Sequence, residues 1–165
     1  MLVKQTIQHY ELSQYAPDPL QATSICVRTL PFEMTVSALY PPKYNLKKEQ
    51  YEAFFSTLGP RFMAGGDFNS KNTAWGSRIT TTKGRELFRL MQQQNYSFLS
   101  TGRPTYWPSD PAKRPDLLDF FVTNGISSTY LDIEPSSFIS FIPLFSVYSF
   151  TGIALECRKS LNTIL

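Results

Sequence analysis

Residues Phe62-Met-Ala-Gly-Gly-Asp-Phe-Asn69 join a short apolar run to two glycines, an acid and an amide. Alternate residues of an extended chain point the same way, so we expect Asp67 and Asn69 to project together from a strand end. The glycines before them let the backbone turn or approach a ligand closely. A carboxylate beside a carboxamide can activate water, hold a divalent ion or bind a phosphate oxygen. The alternative is a strand end followed by an Asx turn.

Composition indicates one folded domain with a mildly basic character. The chain has 165 residues, of which 42% are hydrophobic and 15% aromatic, and this excludes a disordered chain. The net charge is +3, but residues 67–115 contain eight basic and three acidic residues, an excess of five. This basic segment is either a polyanion-binding surface or a solvated face.

Several classes of protein are disfavoured. Two distant cysteines, Cys26 and Cys157, make neither a disulfide framework nor a zinc site. The first residues lack a secretory signal, so we expect a nuclear or cytoplasmic protein that is not secreted. Residues 138–155 carry no charge and are either strands or a membrane anchor; Pro143 and the interspersed serines favour strands.

Apolar periodicity predicts alternating strands and helices. A helix between two strands forms a crossover, so the sheet is expected to be mixed, after an initial antiparallel hairpin. The second helix should turn Leu87, Leu90 and Met91 inward and leave Lys83, Arg85 and Arg89 in solvent. The predicted strands are 2–10, 20–30, 34–40, the run before Asp67, 98–99 and 117–123, and the predicted helices are 47–58 and 84–95.

The strand from Leu117 to Thr123 contains an acid. Asp119 lies on the face of Phe121, opposite Phe120 and Val122, in a strongly apolar strand. Such a carboxylate is costly to bury unless something pairs with it. It is therefore either a working carboxylate or a partly exposed strand end.

Four segments, in this order and spacing, resemble one known family. They are Gly65-Gly-Asp-Phe-Asn-Ser-Lys-Asn-Thr-Ala-Trp-Gly-Ser-Arg78, Lys83-Gly-Arg85, Arg103-Pro-Thr-Tyr-Trp-Pro108 and Asp116-Leu-Leu-Asp-Phe-Phe-Val-Thr123. Together they resemble the endonuclease domain of insect jockey-like non-LTR retrotransposons, in the endonuclease/exonuclease/phosphatase superfamily. The resemblance implies an endonuclease-like domain at 1–135 and a divergent apolar tail at 136–165.

The resemblance also implies a fold and an activity. The fold is an α/β, four-layer α/β/β/α sandwich, incomplete at both termini in this chain. The activity is Mg²⁺- or Mn²⁺-dependent hydrolysis of a DNA phosphodiester, within a polyprotein that also has a reverse transcriptase, an RNA-directed DNA polymerase. Membrane association is not expected.

Four residues match the family's catalytic positions. Asp67 is similar to the carboxylate that positions or deprotonates the attacking water, and Asn69 to the amide that binds the scissile phosphate. Tyr40 resembles the tyrosine that donates to the phosphate. Asp119 matches the acid that orients the catalytic histidine.

The basic segment and its aromatic residues are expected to contact DNA. Basic side chains bind phosphates and aromatic rings stack on bases. Core packing is the alternative for the aromatic residues. The expected contacts are Lys71, Trp75, Arg78, Tyr106 and Trp107.

The sequence departs from the family pattern in its metal ligand and histidine. The family's Glu ligand has no counterpart, so no metal ligand is assigned, and residues 140–150 contain neither acid nor histidine where the family has Ser-Asp-His. We therefore expect impaired activity and a fragment of a longer element. The alternative functions are a non-catalytic nucleic-acid-binding remnant and, less compatible with the Trp75 and Tyr106 segments, a phosphatase of the same superfamily.

Overall fold

The computed structural model describes residues 3, 7–17, 20–29, 32–41, 46–127, 131–136, 144–149 and 154–157. The helices are α1 (Lys48–Ser56) and α2 (Thr82–Gln94), and a 3-10 turn spans Thr73–Trp75. The strands are β1 (His9–Glu11), β2 (Gln21–Thr29), β3 (Phe32–Tyr40), β4 (Phe62–Asp67), β5 (Ser97–Leu99), β6 (Asp119–Asn124), β7 (Leu131–Ser136), β8 (Leu144–Ser149) and β9 (Ala154–Cys157).

The larger sheet is mixed, as the crossover pattern predicts. Its strand order is β1-β2-β3-β4-β6-β5. Strands β2 and β3 form the predicted antiparallel hairpin, with Gln21 opposite Tyr40 and Thr29 opposite Phe32. Strands β3 and β4 are parallel because α1 returns the chain to the starting end of the sheet, and the other neighbouring pairs are antiparallel.

Both helices bury their apolar stripe against one face of this sheet. Tyr51, Phe54 and Phe55 of α1 are buried, and the Phe55 ring stacks on Phe62 of β4 at 5.6 Å. The corresponding residues of α2 are those that the sequence places inward. The cluster includes Leu87, Leu90, Met91, Ala64, Phe120 and Val122.

The opposite face of the sheet is also apolar. Alternate residues of the central strands form a second buried cluster there, as expected for a sheet covered on both sides. Its members are Ile25, Val27, Met34, Val36, Met63 and Phe121.

A second sheet has the order β7-β8-β9 and is antiparallel. Strand β8 and the start of β9 lie within the uncharged segment 138–155, whose other residues fall outside the described part of the chain. The domain boundary expected after residue 135 falls inside β7 and stays a prediction. Among the described residues, no helix is both long and apolar enough to cross a membrane.

The first strand differs from its prediction. Residues 2–10 were expected to be extended, but β1 covers only His9–Glu11, and residues 1, 2 and 4–6 lie outside the described part. The pairing with β2 sets the end of β1, because Glu11 pairs with Ile25 although the predicted strand ended at residue 10.

Gly66 lies where two neighbours crowd the β4 backbone. Its φ is 150°, and a Cβ there would collide with the carbonyl oxygen of Leu39 on β3. A Cβ at Gly65 would likewise overlap the ring of Phe121 on β6. The two glycines therefore allow β4 to fit between β3 and β6.

We predict that Gly66→Ala lowers the free energy of unfolding by about 2–4 kcal/mol, because the clash with backbone adds to unfavourable φ. Gly102→Ala is the control: its φ is 66°, nothing lies within 4 Å of the added Cβ, and about 1 kcal/mol of strain is expected. Urea denaturation measures both. Equal losses in the two variants would contradict the close-approach argument.

Candidate active site

Strand register brings three of the predicted catalytic residues to one edge of the larger sheet. Ala38 of β3 is level with Gly65 of β4 in the parallel pair, so Tyr40 is level with Asp67. Asp67 in turn pairs directly with Asp119, at the start of the antiparallel strand β6. Neighbouring strands lie about 4.8 Å apart. We call these three residues the carboxylate edge.

All three share the sheet face that points away from the helices. Side chains alternate along a strand, so Asp67 lies on the side of Met63, and Asp119 on the side of Phe121, both in the second apolar cluster. Asp67 is 6% exposed and Asp119 7% exposed, whereas Tyr40 is 53% exposed. The edge therefore combines two nearly buried carboxylates with an accessible phenol.

Asn69 adopts the Asx turn that was the alternative interpretation of the motif. The Asn69 backbone N–H donates to Asp67 Oδ1 at 3.0 Å, and Asn69 has a φ of 47°. Because β4 ends at Asp67, strand alternation does not extend to Asn69, and the expectation that both side chains project as on an extended chain is wrong. The turn instead fixes the Asp67 carboxylate against the start of the loop.

Trp75 belongs to the core rather than to a DNA-contacting surface. It is 1% exposed, its ring stacks on Phe120 at 4.6 Å, and its Nε1–H donates to the Ser70 carbonyl at 3.3 Å. The Ser70 hydroxyl also lies 3.1 Å from the Tyr51 hydroxyl. The predicted stacking role of Trp75 is therefore corrected: its ring anchors the loop that follows Asp67.

Asp116, which the sequence analysis does not single out, connects the loops around the edge. It is 2% exposed; its Oδ1 accepts from the backbone N–H groups of Arg78 and Leu117, and its Oδ2 lies 2.7 Å from Lys71 Nζ. Burial alone would raise the pKa of Asp116, but these donors outweigh it and hold the pKa below its usual value. Lys71, predicted to contact phosphate, is engaged in this ion pair.

Thr105 is a second residue that the sequence analysis missed. It is 4% exposed, and its Oγ1 accepts from the backbone N–H groups of Leu118 and Asp119, both at 3.0 Å. These bonds fix the start of β6, where Asp119 lies. Thr105 lies in the Arg103–Pro108 segment, one of the four that resemble the family, and this was the sequence signal that could have identified it.

A basic and aromatic surface lies on the loops next to this edge. Tyr106 is 42% exposed and Trp107 is 62% exposed, so both rings are accessible, and their stacking role stays a prediction. Arg78 Nη1 donates to the Arg114 carbonyl at 3.3 Å and remains exposed. We define the basic–aromatic surface as Arg78, Arg103, Tyr106, Trp107, Lys113 and Arg114.

Lys83 is buried, which corrects its predicted place in solvent. It is 4% exposed and lies in the first turn of α2, on the same stripe as Leu87 and Leu90. Burial lowers its pKa to about 8, and the carboxylate of Asp67 acts in the opposite direction. The spacing i, i+4, i+7 was the signal that could have predicted its burial.

His9, the single histidine of the sequence, is far from the carboxylate edge. It pairs with Val27, six residues along β2 from Gln21, and Gln21 is the partner of Tyr40. At about 3.3 Å per residue this is a separation of about 20 Å. Within the described residues, no group of three or more His, Cys, Asp or Glu could hold a metal ion.

The family profile described as Endonuclease-reverse transcriptase matches residues 34–138, a span that contains the whole carboxylate edge. The chain belongs to this family. It is an endonuclease-type domain of the kind found in non-LTR retrotransposon polyproteins. The match confirms the family resemblance seen in the sequence.

Relatives of this endonuclease-type domain are RNA-directed DNA polymerases of mobile elements. It is 30% identical over 135 residues to the RNA-directed DNA polymerase from mobile element jockey of Drosophila funebris and of Drosophila melanogaster. It is 28% identical over 137 residues to the probable RNA-directed DNA polymerase from transposon BS of Drosophila melanogaster. The alignments cover 81–82% of this chain, which spans 15% of the length of each relative.

A solved structure supports the fold. The domain is similar to the endonuclease domain of TRAS1, a telomere-specific non-LTR retrotransposon, with a TM-score of 0.71 and 18% identity. The match covers 89% of this chain and 70% of that one. It confirms the predicted α/β fold class of the endonuclease/exonuclease/phosphatase type.

We predict that Asp116→Asn lowers the free energy of unfolding by about 2 kcal/mol at pH 7, because it removes a charge-assisted contact with Lys71. The pKa of Asp116 is lowered in the folded state, so its stabilisation is present above the usual carboxyl pKa and lost as pH falls through the lowered value. The difference in the free energy of unfolding between wild type and variant should therefore shrink as the pH is lowered towards 2. Urea titrations at several pH values measure it.

Asp110→Asn is the matched control for this prediction. Asp110 lies 3.9 Å from Lys113, and both side chains are exposed, so the change should cost less than about 0.5 kcal/mol. A loss for Asp116→Asn that is no larger than the control, or that stays constant with pH, would refute the role of the buried carboxylate.

Proposed function

We propose that this domain binds DNA and hydrolyses a phosphodiester within a polyprotein that also contains a reverse transcriptase. The observation that supports this most is the register of β3, β4 and β6, which aligns Tyr40, Asp67 and Asp119 at one edge. Family membership supplies the reaction class, and the names of the relatives supply the polymerase partner. We propose that the protein is nuclear or cytoplasmic.

Asp67 is the proposed group that positions or deprotonates the attacking water. Its Oδ1 accepts from the Asn69 N–H, and the carboxylate lies at the end of β4, level with the exposed Tyr40. A general base must lie within hydrogen-bond reach of the proton that it removes, so a carboxylate held in one orientation suits this role. Asp119, which matches the family's histidine-orienting acid, lies directly opposite Asp67 on β6.

Tyr40 and Asn69 are the proposed donors to the phosphate. The Tyr40 side chain is accessible, and Asn69 is half-buried two residues after Asp67. A phenolic O–H and a carboxamide N–H donate to phosphate oxygens, which gain charge in the transition state of hydrolysis. Donors fixed in advance stabilise that charge without reorganisation.

The basic–aromatic surface is the proposed DNA-binding interface. Cationic side chains such as Arg78 and Arg114 neutralise phosphates, and the accessible rings of Tyr106 and Trp107 stack on bases. Lys71, whose side chain is 30% exposed, is proposed as a further phosphate contact, although its ammonium also pairs with the buried Asp116. Because Asp116 also binds the Arg78 backbone, the interface is connected to the site by buried contacts.

Endonucleases of this family generally use divalent metals, and we propose a requirement for Mg²⁺ or Mn²⁺. The described residues offer too few donors to hold such an ion by themselves, so no step of the mechanism is assigned to it. A divalent cation would supply charge neutralisation at the phosphate.

A non-catalytic nucleic-acid-binding function is the second candidate. The position of His9 favours it, because the one histidine of the sequence lies about 20 Å along the sheet from the carboxylate edge. Without a histidine beside Asp119, we expect hydrolysis to be slow relative to DNA binding.

We predict that the wild-type chain nicks supercoiled plasmid with Mg²⁺ and that EDTA abolishes nicking. Asp67→Asn keeps the acceptor for the Asn69 N–H but removes the base, so the rate should fall at least about 100-fold. Asp110→Asn, on an exposed loop, is the control and should nick as wild type. DNA binding without any nicking by the wild type would favour the non-catalytic function.

We predict that Arg78→Ala weakens DNA binding. The negative slope of log K against log salt should become less steep by about 0.9, the value for one phosphate contact. Trp107→Ala should weaken binding of single-stranded DNA by about 1–3 kcal/mol through lost stacking. Fluorescence anisotropy at several salt concentrations measures both.

Arg61→Ala provides the matched control for the binding measurements. Arg61 is an exposed arginine that stacks on Phe32 at 4.7 Å, next to the start of β4 and therefore at the opposite end of the sheet. An equal loss of affinity in Arg61→Ala would show that binding depends on overall charge rather than on the basic–aromatic surface.

A further inference from the structure

Tyr51 on α1 has a buried hydroxyl that the proposed mechanism does not use. Its oxygen lies 3.1 Å from Ser70 Oγ, and both side chains are fully buried. A hydroxyl in such surroundings is costly unless it is hydrogen-bonded. Ser70 is the residue directly after Asn69, in the loop that follows β4. The Tyr51 hydroxyl therefore joins α1 to the loop of the candidate site.

The direction of this hydrogen bond follows from a second bond that Ser70 makes. The Ser70 hydroxyl donates to the Phe68 carbonyl at 3.0 Å. A serine hydroxyl has one hydrogen, so Ser70 Oγ accepts from Tyr51. Burial raises the pKa of Tyr51, which keeps its hydroxyl protonated as a donor. A hydrogen-bond chain thus runs from the Tyr51 side chain through Ser70 to the backbone of Phe68.

The residues on both sides of Asn69 are fixed by buried contacts. Before it, the Phe68 N–H donates to the Leu118 carbonyl at 3.1 Å, and the Phe68 carbonyl accepts from Ser70. After it, the Ser70 carbonyl accepts from Trp75 Nε1–H at 3.3 Å. With the Ser70 hydroxyl also bound to α1, the backbone around Asn69 has little freedom.

Asn69 itself has a backbone conformation that needs such support. Its φ is 47°, in the left-handed region that is unfavourable for residues other than glycine, although asparagine tolerates it better than most. Such a conformation persists where the surrounding structure over-determines it. The Asp67 carboxylate supplies one support by accepting from the Asn69 N–H. The hydrogen-bond chain from Tyr51 supplies a second, on the other side of the residue.

We propose that Tyr51 and Ser70 are positioning residues that hold Asn69 in the conformation from which it donates to the phosphate. The catalytic consequence rests on the proposed function, whereas the effect on the Asn69 backbone does not. Tyr51 is buried and does not touch substrate, so it acts through Ser70. A donor that is already oriented stabilises the transition state without reorganisation.

Tyr51→Phe tests the proposal, because it removes only the hydroxyl and keeps the ring that stacks on Phe55. Amide hydrogen exchange followed by NMR should show that the Asn69 N–H exchanges about tenfold faster in the variant. The Ala112 N–H is the internal control, since it donates to Asp110 Oδ1 at 3.0 Å in a similar turn on an exposed loop. No change at Asn69, or an equal change at both amides, would overturn the proposal.

Two further variants identify the group responsible. Tyr96→Phe is the matched control, because the Tyr96 ring contacts Phe55 and also Phe62, at the other end of β4 from the site. It should leave exchange at Asn69 unchanged. Ser70→Ala breaks the chain from the loop side and should reproduce the effect of Tyr51→Phe, also if Tyr51→Phe does not fold. Adding Tyr51→Phe to Ser70→Ala should change exchange by less than about twofold, and independent effects would refute the chain.

Nicking kinetics separate positioning from a purely structural role. Tyr51→Phe should lower kcat about tenfold with little change in KM, and Tyr96→Phe should match wild type. In an Asn69→Ala background, Tyr51→Phe should change kcat by less than about twofold, because the donor through which it acts is gone. A loss that stays about tenfold in that background would show that Tyr51 does not act through Asn69.

The two readouts distinguish failure of the inference from failure of the proposed function. If the wild type does not nick, the proposed hydrolysis fails, and hydrogen exchange still decides whether Tyr51 and Ser70 fix Asn69. Exchange decides equally if Asn69→Ala leaves no measurable nicking. If the wild type nicks and Tyr51→Phe changes neither exchange nor kcat, the proposed function stands and the positioning role is refuted.

Discussion

The close packing of β4 between β3 and β6 is the constraint on which the site depends. Gly65 and Gly66 leave no space for a Cβ, because the Phe121 ring and the Leu39 carbonyl occupy it. In this packing β4 is parallel to β3 and antiparallel to β6, and Asp67 is level with Asp119. The two glycines therefore allow the strands to pack closely. They affect the site only through the strand register, which sets the positions of Tyr40, Asp67 and Asp119.

Buried polar contacts outside the sheet hold the surrounding loops. Asp116 binds Lys71 and the Arg78 backbone, and Thr105 binds the backbone at Asp119. Buried hydrogen bonds of this kind are costly to lose, since a group left without a partner retains its desolvation penalty. They therefore connect the exposed basic–aromatic surface to the carboxylate edge through rigid structure.

Charge is divided between the interior and the surface of the site. The edge places the Asp67 and Asp119 carboxylates in nearly water-free surroundings, where electrostatic interactions are strong. The arginines and lysines that face solvent are screened by salt and suit recognition of a polyanion. The basic segment therefore combines exposed cations suited to a polyanion with Lys71, which pairs with the buried Asp116.

The sequence by itself determined the hairpin, both amphipathic helices, the mixed sheet and the family, because these follow from local periodicity and from motifs contiguous in the chain. It also identified Tyr40, Asp67 and Asp119, although their common edge depends on strand register. Only the tertiary structure decided that Trp75 packs on Phe120 and that Asp116 and Thr105 fix the loops. The contacts of Trp75, Asp116 and Thr105 join residues distant in sequence, which neither composition nor local spacing encodes, whereas the burial of Lys83 follows its spacing from Leu87 and Leu90 on α2.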